Sequence, residues 1–376
     1  MNTLNNTPSI SLIMSVYNGG EYLSETLDSI LAQDFPDWEL IAVNDCSADS
    51  TGDILEEYAK KDGRIKVLNN EQNLKLPASL NKALLASCGK YAVRMDADDI
   101  CLPDRLSKQY AFMEQNPDTD ISSPRYMTLK DGKVCSGGGG GKCDPDSVRA
   151  LLLVTNPVLH PGVIAKSEVM KKLLYDTTRT CTEDLELWTR AVALGYKIKI
   201  QDEYLLIYRL HEKQITQTTL SRQHTEVLEI QKKYFSALLE PMTKEQEAFY
   251  ISGIYFREQP DTDKFRKYFD FVRSCNSKTK SLSDTDIRYA ALEILAEYKR
   301  CGVSKGDILK GILYLGPLFC ASELCKRKKR SRLDGKKCIT AAQSIGYSKS
   351  GGSCGFPSFS KQTTPRKKGD SQCIYS

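Results

Sequence analysis

The chain has 376 residues, 40% of them hydrophobic, which is enough for one large domain with a buried core and an appendage. No stretch approaches the ~20 consecutive apolar residues of a membrane span, and the start MNTLNNTPSISLIMSVYN lacks the basic residues of a secretion signal. We therefore expect a cytoplasmic protein. The 13 cysteines lack metal-finger spacing and fit free thiols in a reducing compartment.

The first third of the chain alternates between two kinds of segment. Four segments rich in Ile, Leu and Val are typical of buried strands: 9–16, 38–45, 64–70 and 90–96. Helices are predicted within 20–35, 47–63 and 76–89; in the first of them Leu23, Leu27, Ile30 and Leu31 share one face. This alternation predicts an α/β fold, a mostly parallel sheet flanked by helices, whose ligands bind beyond the carboxyl ends of the strands.

The rest of the chain is mixed and then helical. Strands are predicted at 120–129 and 203–211, a loop and strand running into a helix at 156–174, and an amphipathic helix at 182–197 that ends at Gly195. Residues 135–144 read as a mobile Gly-rich loop. We expect an α/β domain over 1–215, a helical region over 216–325 and a basic, disordered tail over 326–376.

The net charge of +5 is unevenly distributed. From Lys326 onward 13 residues are Lys or Arg and 2 are Asp or Glu, whereas the preceding part holds 40 basic and 46 acidic residues. Such a tail is typical of a segment that binds an anionic partner, nucleic acid or lipid headgroups, and equally of a solvated end. Because an apolar stretch precedes it, 306–332 favours an anionic membrane surface or, alternatively, a packed helix with a solvated tail.

A cluster of acidic residues stands out in YAVRMDADDICLPDR (91–105), where Asp96, Asp98 and Asp99 lie within four positions. Close carboxylates repel one another and are costly to bury without a cation. The Asp-x-Asp spacing alone is weak, because about one is expected by chance. The chain holds four more, at 118/120, 144/146, 261/263 and 284/286. Of the five pairs, however, only Asp96/Asp98 follows a predicted strand and shares its sheet edge with Ser15–Tyr17 and Asn44–Asp45.

A series of motifs in order resembles the family 2 glycosyltransferases, inverting GT-A enzymes that use nucleotide-sugars. The motifs are SLIMSVYNGGEYLSETLDSILAQDF, ELIAVNDCSADST, YAVRMDADDICLPDRL, NPVLHPGVIAK, TEDLELWTRAVALGY and LLIYRLH, within 9–211. The middle motifs are most similar to those of bacterial members that build surface polysaccharide. The resemblance implies metal-dependent transfer of a sugar from a nucleotide-sugar, with a UDP-sugar as first choice, to a glycan or lipid-linked acceptor at the inner face of the cell membrane.

The resemblance also implies roles for residues of the first half. Ser15 and Tyr17 would surround the nucleobase, and Asp45 would accept a hydrogen bond from the uracil N–H. Asp96 and Asp98 would hold ribose and metal-bound water, while Asp98 and Asp99 reach a Mg²⁺ or Mn²⁺ ion between the two phosphates. The carboxylate that touches the metal directly stays open. Structural alternatives are a turn or cap for Asp45, packing for Tyr17 and turn solvation for the acids.

Later motifs would complete the reaction. The resemblance makes Asp184 the base that takes the acceptor's proton, and it places Glu183 next to Asp184 as a residue that binds the nucleotide-sugar. Acids after Thr182 also suit an ordinary helix start. His160 would lie near the donor phosphate or the acceptor, or be a loop residue. Cys46 departs from the family, which often has Gly there.

Rival functions remain at this level. A nucleotidyltransferase would need a basic, Gly-rich loop after the first strand, and SVYNGGEYL has no basic residue. A phosphate-loop interpretation of SGGGGGK fails because Ser136 and Cys143 stand where the motif needs Gly and Ser or Thr. A non-catalytic sugar-nucleotide sensor is the other rival; a nucleic-acid binder is the less favoured one.

Overall fold

The computed structural model describes residues 7–136, 144–211, 220–254, 261–300 and 303–323. The strands are β1 Ile10–Val16, β2 Trp38–Asn44, β3 Ile65–Asn69, β4 Tyr91–Arg94, β5 Ile100–Cys101, β6 Ile121–Lys130, β7 Lys133–Ser136, β8 Ile164–Lys166 and β9 Ile198–Arg209. The helices are α1 Leu23–Leu31, α2 Thr51–Lys61, α3 Leu76–Ala86, α4 Arg105–Gln115, α5 Pro145–Leu151, α6 Ser167–Leu173, α7 Glu183–Ala193, α8 Leu220–Leu238, α9 Lys244–Ile254, α10 Thr262–Thr279, α11 Asp284–Arg300 and α12 Lys305–Leu315.

The strands form one mixed sheet in the order β3-β2-β1-β4-β8-β6-β9-β5, with β7 paired to β6. The first four are parallel to one another, as are β6 and β9, while β8 runs antiparallel to β4 and β6. Helices connect the parallel strands, as expected for crossover connections. The predicted α/β class is therefore confirmed.

The local signals for the first elements agree with the structure. Leu23, Leu27 and Ile30 are fully buried, and Leu31 is partly buried against the same core. Gly195 follows α7 with φ 91°, a conformation that glycine adopts without strain, so the predicted helix stop is confirmed. Trp188 of α7 is fully buried, which fits the amphipathic helix predicted there.

Three strand features differ from the prediction. β5 and β7 have only 2 and 4 residues, too few for a periodic signal. β9 begins at Ile198 rather than at 203, since residues 198–200 pair with the start of β6. Pairing with a distant strand, which a local pattern does not reveal, therefore sets the length of β9.

The described residues divide into two compact units. Unit 1 takes those within 1–148 and 156–214, and therefore the sheet; unit 2 takes 149–155 and those from 215 on, and consists of helices. Aromatic residues fill unit 2, where the rings of Phe235 and Tyr250 lie 4.9 Å apart and Tyr268 is fully buried. Within the described helices, none combines the length and apolarity that a bilayer crossing requires. Of the Gly-rich loop predicted at 135–144, residues 135–136 belong instead to β7, and 137–143 lie outside the described residues, as does the tail after Glu323.

Candidate active site

The acidic residues of the Asp96–Asp99 turn come together at the carboxyl end of β4. One carboxylate oxygen from each of Asp96, Asp98 and Asp99 lies within 4.8 Å of the others. Asp99 is fully buried, and its Oδ1 accepts a 2.9 Å hydrogen bond from the backbone N–H of Arg209. Its Oδ2 is buried and has no hydrogen-bond partner in the described part of the chain. We refer to these three residues as the acidic triad.

Burial and mutual repulsion disfavour the charged forms of the triad. The pKa of Asp99 is raised well above its usual value by burial and then by the charges of Asp98 and Asp96. Burial also raises the pKa of Asp96, although the neighbouring Arg94 opposes this effect. The surroundings therefore do not compensate the full charge of three carboxylates, and the triad favours taking up a proton or a cation.

One buried cationic side chain partly compensates the negative charge of the triad. Arg94, the last residue of β4, is only 3% exposed and forms an ion pair through Nη1 with Oδ2 of Asp96. Its Nε is buried and finds no hydrogen-bond partner among the described residues. Sequence reasoning assigned Arg94 only to a buried strand, although a charged residue in such a strand is itself a signal of a buried ion pair.

The end of β9 supplies further partners. Nε2 of His211 lies 2.9 Å from Oδ2 of Asp98, and Nε of Arg209 donates to the backbone oxygen of Asp98. The pairing of Ile207 with Ile100 fixes this approach, because it carries the end of β9 past the triad. Neither role was predicted, since 113 residues separate His211 from Asp98.

The donor set fits a hard divalent cation. Three carboxylates offer oxygen ligands, one of them with an unpartnered buried oxygen, and an imidazole stands beside them. Mg²⁺ and Mn²⁺ prefer oxygen ligands, and Mn²⁺ also accepts imidazole. The acidic cluster that the sequence singled out is thus present in three dimensions as a candidate metal centre.

A second pair of acids begins α7. Asp184 accepts hydrogen bonds from Asn156 Nδ2 at 2.7 Å and from the N–H of Leu185 at 2.7 Å. Glu183 is 7% exposed, and its Oε2 is buried without a partner in the described chain. Burial, followed by the charge of Asp184, raises the pKa of Glu183 to about 8.

Asp184 and Glu183 differ in their surroundings and therefore in how readily each loses its proton. Burial raises the pKa of Asp184 as well, but its two hydrogen bonds and the charge of Arg94 favour the carboxylate. Glu183 therefore holds a proton at neutral pH, and Asp184 is the member of the pair that ionises first. The charge of Asp184 also contributes to the raised pKa of Asp96, so this pair and the triad face the same region.

His160 lies in a single-turn 3₁₀ helix and is 9% exposed. Its Nε2 is 2.9 Å from Oη of Tyr175, and its ring packs edge-on against Trp188. Burial and the charge of Arg94 hold the pKa of His160 well below its usual value, so the imidazole is neutral. Its place near the donor phosphate or the acceptor stays a prediction.

The predicted nucleobase residues lie at the carboxyl ends of β1 and β2, which are neighbours in the sheet: Ser15 within β1, Tyr17 just after it and Asp45 just after β2. Tyr17 is 54% exposed and Ser15 is half-buried. Asp45 is 1% exposed; its Oδ1 accepts hydrogen bonds from Asn70 Nδ2 and the N–H of Leu74, and its Oδ2 accepts one from the N–H of Lys75. Asp45 thus holds the 70–75 loop, a role that differs from the local turn or cap considered as its alternative.

Cys46 stands at the turn after Asp45 with φ 62°. This is the left-handed region in which glycine is favoured over residues with a side chain. Cys46 therefore adopts a backbone conformation in which glycine would be less strained.

Removing Arg94 is expected to destabilise the fold in a pH-dependent way. Arg94→Met leaves buried carboxylates without their ion pair, so we expect a loss of about 3 kcal/mol in the free energy of unfolding near neutral pH. The loss should shrink at an acidic pH, because the carboxylates with raised pKa values then take up protons. Urea unfolding at both pH values measures this change.

Arg105→Met is the matched control for that experiment. Arg105 is fully buried, and its guanidinium donates to the backbone oxygens of Arg94 and Pro161 and to Gln109 rather than to a carboxylate. Its loss should cost a similar amount at both pH values. A pH-independent loss for Arg94→Met would contradict the assigned ion pair.

The comparisons with known proteins agree with the family that the motifs of the sequence resemble. Residues 11–136 match the family model described as glycosyl transferase family 2. A glycosyltransferase of Methanocaldococcus jannaschii that is otherwise uncharacterized is 37% identical over 206 residues, which cover 54% of this chain and 71% of that protein. The chain belongs to glycosyl transferase family 2. The present chain is also 30% identical over 217 residues to the O-antigen biosynthesis glycosyltransferase WbnJ of Escherichia coli. The match covers 56% of this chain and 84% of WbnJ.

A solved structure shares the fold of the glycosyltransferase. S. aureus TarS 1–349, crystallised with UDP-GlcNAc, superposes with a TM-score of 0.54 at 17% identity, covering 78% of this chain and 90% of that chain. Family membership confirms the predicted enzyme class and sets aside the nucleotidyltransferase and the non-catalytic binders. The individual site residues remain predictions.

Proposed function

We propose that this glycosyltransferase moves a sugar from a UDP-sugar to a glycan or lipid-linked acceptor, with inversion at the anomeric carbon and with Mn²⁺ or Mg²⁺ at the acidic triad. One observation carries the proposal: three carboxylate oxygens lie within 4.8 Å of one another, and an oxygen of the buried Asp99 lacks a partner in the described chain. Such a cluster is costly as it stands and becomes favourable when a diphosphate-bound cation arrives.

The residues of the triad would hold the cation through Asp98 and Asp99, with His211 adjacent. Asp96 would hold the ribose, because its ion pair with Arg94 fixes its orientation. When bound, a divalent cation neutralises negative charge that develops on the departing nucleotide diphosphate. The remaining chemistry belongs to side chains of the protein itself.

The transfer step requires a base on the acceptor side. The acceptor hydroxyl oxygen forms a bond to the anomeric carbon, the bond from that carbon to the diphosphate oxygen breaks on the opposite face, and the hydroxyl proton passes to a carboxylate oxygen of Asp184. Asn156 orients this carboxylate by its hydrogen bond. Glu183, protonated at neutral pH, can donate a hydrogen bond to a donor oxygen without competing for the proton.

The hydrogen bonds of Asp45 support uracil as the donor base. A carboxylate has about four acceptor positions, and three of those on Asp45 receive hydrogen bonds from the 70–75 loop. One position on Oδ2 is left. Uracil, like thymine, offers one N–H at its ring edge, whereas guanine offers donors from two adjacent nitrogens, so the remaining position suits uracil or thymine better than guanine. Tyr17, exposed beside Ser15, supplies a ring for stacking.

The acceptor class rests on relatives. WbnJ is named for O-antigen biosynthesis, and EpsE of Bacillus subtilis, a putative glycosyltransferase, is 32% identical over 70% of its length. We propose a surface polysaccharide as the product. We also propose that 1–215 forms the catalytic domain and 216–325 an accessory helical region.

A panel of nucleotide-sugars tests this function. Purified protein is incubated with UDP-, GDP- and dTDP-sugars, with and without Mn²⁺, and release of the nucleotide diphosphate is followed. We expect slow hydrolysis of a UDP-sugar that stops when the cation is chelated. Turnover of GDP-sugars alone would contradict the assignment of Asp45, and turnover unaffected by chelation would contradict the role of the triad.

A further inference from the structure

Tyr175, which follows α6, forms a buried pair with His160. Its side chain is 3% exposed, and its Oη lies 2.9 Å from Nε2 of His160. Within the described ranges this is the only hydrogen bond of either side chain, so Nδ1 of the imidazole has no partner there. We call these two residues the His–Tyr pair. Nδ1 is therefore the ring nitrogen that remains for a ligand.

The backbone that carries Tyr175 is held by four hydrogen bonds from two side chains. Asn81 of α3 donates to the backbone oxygen of Tyr175 at 2.9 Å and accepts from its N–H at 2.8 Å. Arg190 of α7 donates to the backbone oxygens of Leu173 and Leu174, each at 2.7 Å. The segment 173–175 is thus fixed between α3 and α7, the helix that begins with Asp184.

This segment contains a strained residue. Leu174 has φ 49° and ψ 159°, a conformation that residues with a side chain rarely adopt. Strain of this kind persists only where the surrounding contacts over-determine the backbone, and it is concentrated at active sites and ligand clamps. The fold therefore holds Tyr175 in place against a local backbone preference, which favours a positional role for its side chain over packing alone.

The turn that carries His160 is held as well. Arg105 donates to the backbone oxygen of Pro161 at 2.9 Å, and Gln109 donates to that of Gly162 at 2.8 Å. The ring of Trp188 packs edge-on against the imidazole, with 6.0 Å between the ring centroids. Both members of the His–Tyr pair are fixed in this way, so only the position of the shared hydrogen atom has to be assigned.

The number of available partners decides that position. A neutral imidazole has one N–H donor and one acceptor nitrogen, and a tyrosine hydroxyl has one hydrogen to donate. If Nε2 carried the hydrogen, the hydroxyl hydrogen of Tyr175 would find no acceptor among the described residues. A buried donor without a partner is costly. Burial also raises the pKa of Tyr175, so the hydroxyl keeps its hydrogen and can donate it.

We propose that Tyr175 is a positioning residue, whose hydroxyl donates to Nε2 of His160 and fixes the imidazole as the tautomer with its hydrogen on Nδ1. The Nδ1–H group then donates a hydrogen bond to an oxygen of the substrate, either in the nucleotide-sugar or in the acceptor. The tautomer is a property of the free protein, and only the contact with substrate rests on the proposed function.

A neutral donor suits this part of the site. Burial and the charge of Arg94 already lower the pKa of His160 and so disfavour a second positive charge there. An Nδ1–H group bonds to an oxygen without adding charge. Because Tyr175 occupies Nε2, the ring also has no free lone pair for the acceptor's proton, and it does not compete with Asp184 as the base.

Nuclear magnetic resonance of the full chain tests the tautomer without substrate. The chain has 3 histidines, so ¹⁵N-labelling of histidine gives few ring signals, and those of His160 are the ones missing in His160→Asn. At neutral pH we expect a protonated Nδ1 and an unprotonated Nε2 in the wild type. Tyr175→Phe removes only the hydroxyl, and we expect the single tautomer to be lost, with an Nε2–H form appearing.

Tyr91→Phe is the matched control. Tyr91 is likewise 3% exposed, and its hydroxyl donates to Glu114 at 2.8 Å at the start of β4, the end away from the triad. Its loss removes a buried hydroxyl and a hydrogen bond of the same kind. We expect the tautomer of His160 and the rate of transfer to stay at the wild-type values in this control.

Transfer kinetics test the contact with substrate. Tyr175→Phe should lower kcat/KM by up to about tenfold, the contribution of one hydrogen bond. Asn places an amide N–H near the position of Nδ1, whereas Gln places it near that of Nε2, so His160→Asn should retain several-fold more activity than His160→Gln. Weaker binding of the UDP-sugar in Tyr175→Phe would assign the bond to the nucleotide-sugar, and a raised KM for the acceptor alone would assign it to the acceptor.

Four results would overturn the proposal. An Nε2–H tautomer or a doubly protonated ring in the wild type would contradict the assigned hydrogen bond, as would an unchanged tautomer in Tyr175→Phe. A changed tautomer with wild-type transfer would remove the positioning role, and equal effects in Tyr91→Phe would assign the loss to general damage. Absence of sugar transfer by the wild type would contradict the proposed function and leave the measured tautomer as it is.

Discussion

Asp184→Asn is expected to lower the rate of sugar transfer by about 10³-fold, the contribution of a well-placed general base. The amide cannot accept the acceptor's proton, but it preserves the shape of the side chain and can still bond to Asn156. Because the triad and Asp45 are untouched, the affinity for UDP with Mn²⁺ should stay at the wild-type value. Single-turnover transfer and calorimetry with UDP measure the two quantities separately.

Glu186→Gln is the matched control for this change. Glu186 lies in the same first turn of α7, but its carboxylate is bonded to Arg190. Its loss should leave the transfer rate within a few-fold of the wild-type rate. Wild-type turnover in Asp184→Asn would remove the assignment of the base, and an equal fall in both variants would point to damage of the helix start.

The pH profile of transfer gives a second measure of the same assignment. The pKa of Asp184 is raised by burial, so its basic form is lost as the pH falls through a value above the usual aspartate range. The acid limb of the rate profile should lie there. In Asn156→Ala a hydrogen bond to the carboxylate is missing, so that limb should move to higher pH while the plateau rate changes less.

Asp98→Asn is expected to weaken Mn²⁺-dependent binding of UDP by about 100-fold, because loss of even an outer partner of a bound metal costs up to that much. Asp98 offers an oxygen to the triad and accepts from His211, so the substitution removes charge from the proposed centre while keeping the local hydrogen bond. The same change relieves repulsion on Asp99, and we expect the melting temperature to rise. Calorimetry and thermal unfolding measure both effects.

Asp118→Asn provides the control in another Asp-x-Asp pair. Its carboxylate is 65% exposed and makes a 3.3 Å ion pair with Lys197, so neither UDP affinity nor stability should change. Unchanged UDP affinity in Asp98→Asn would contradict its place at the cation.

Much of unit 1 could be predicted because its signals are local. Buried strands alternate with amphipathic helices, and the rule that parallel sheets bind ligands at the carboxyl ends of strands brought Asp45 and Asp96–Asp99 to one edge. The ordered motifs then led to the family. The position of the triad among five Asp-x-Asp pairs was decided by its place after β4 rather than by its spacing.

The partners of the acidic residues could not be predicted. His211 reaches Asp98 only through the pairing of β5 with β9, and Asn156 reaches Asp184 across 28 residues. The bonds from the 70–75 loop to Asp45 depend on how that loop returns to the sheet. Such contacts are set by tertiary packing, for which a window of sequence carries no signal.

Calorimetric titration of the wild-type protein with UDP, with and without saturating Mn²⁺, tests most directly whether the triad is built to receive a diphosphate-bound cation. We expect UDP to bind with Mn²⁺ and to bind at least about 100-fold more weakly after chelation. This result would mean that the cation bound to the diphosphate neutralises the carboxylates of the triad. Equal heats and equal affinities in the two conditions would contradict the account.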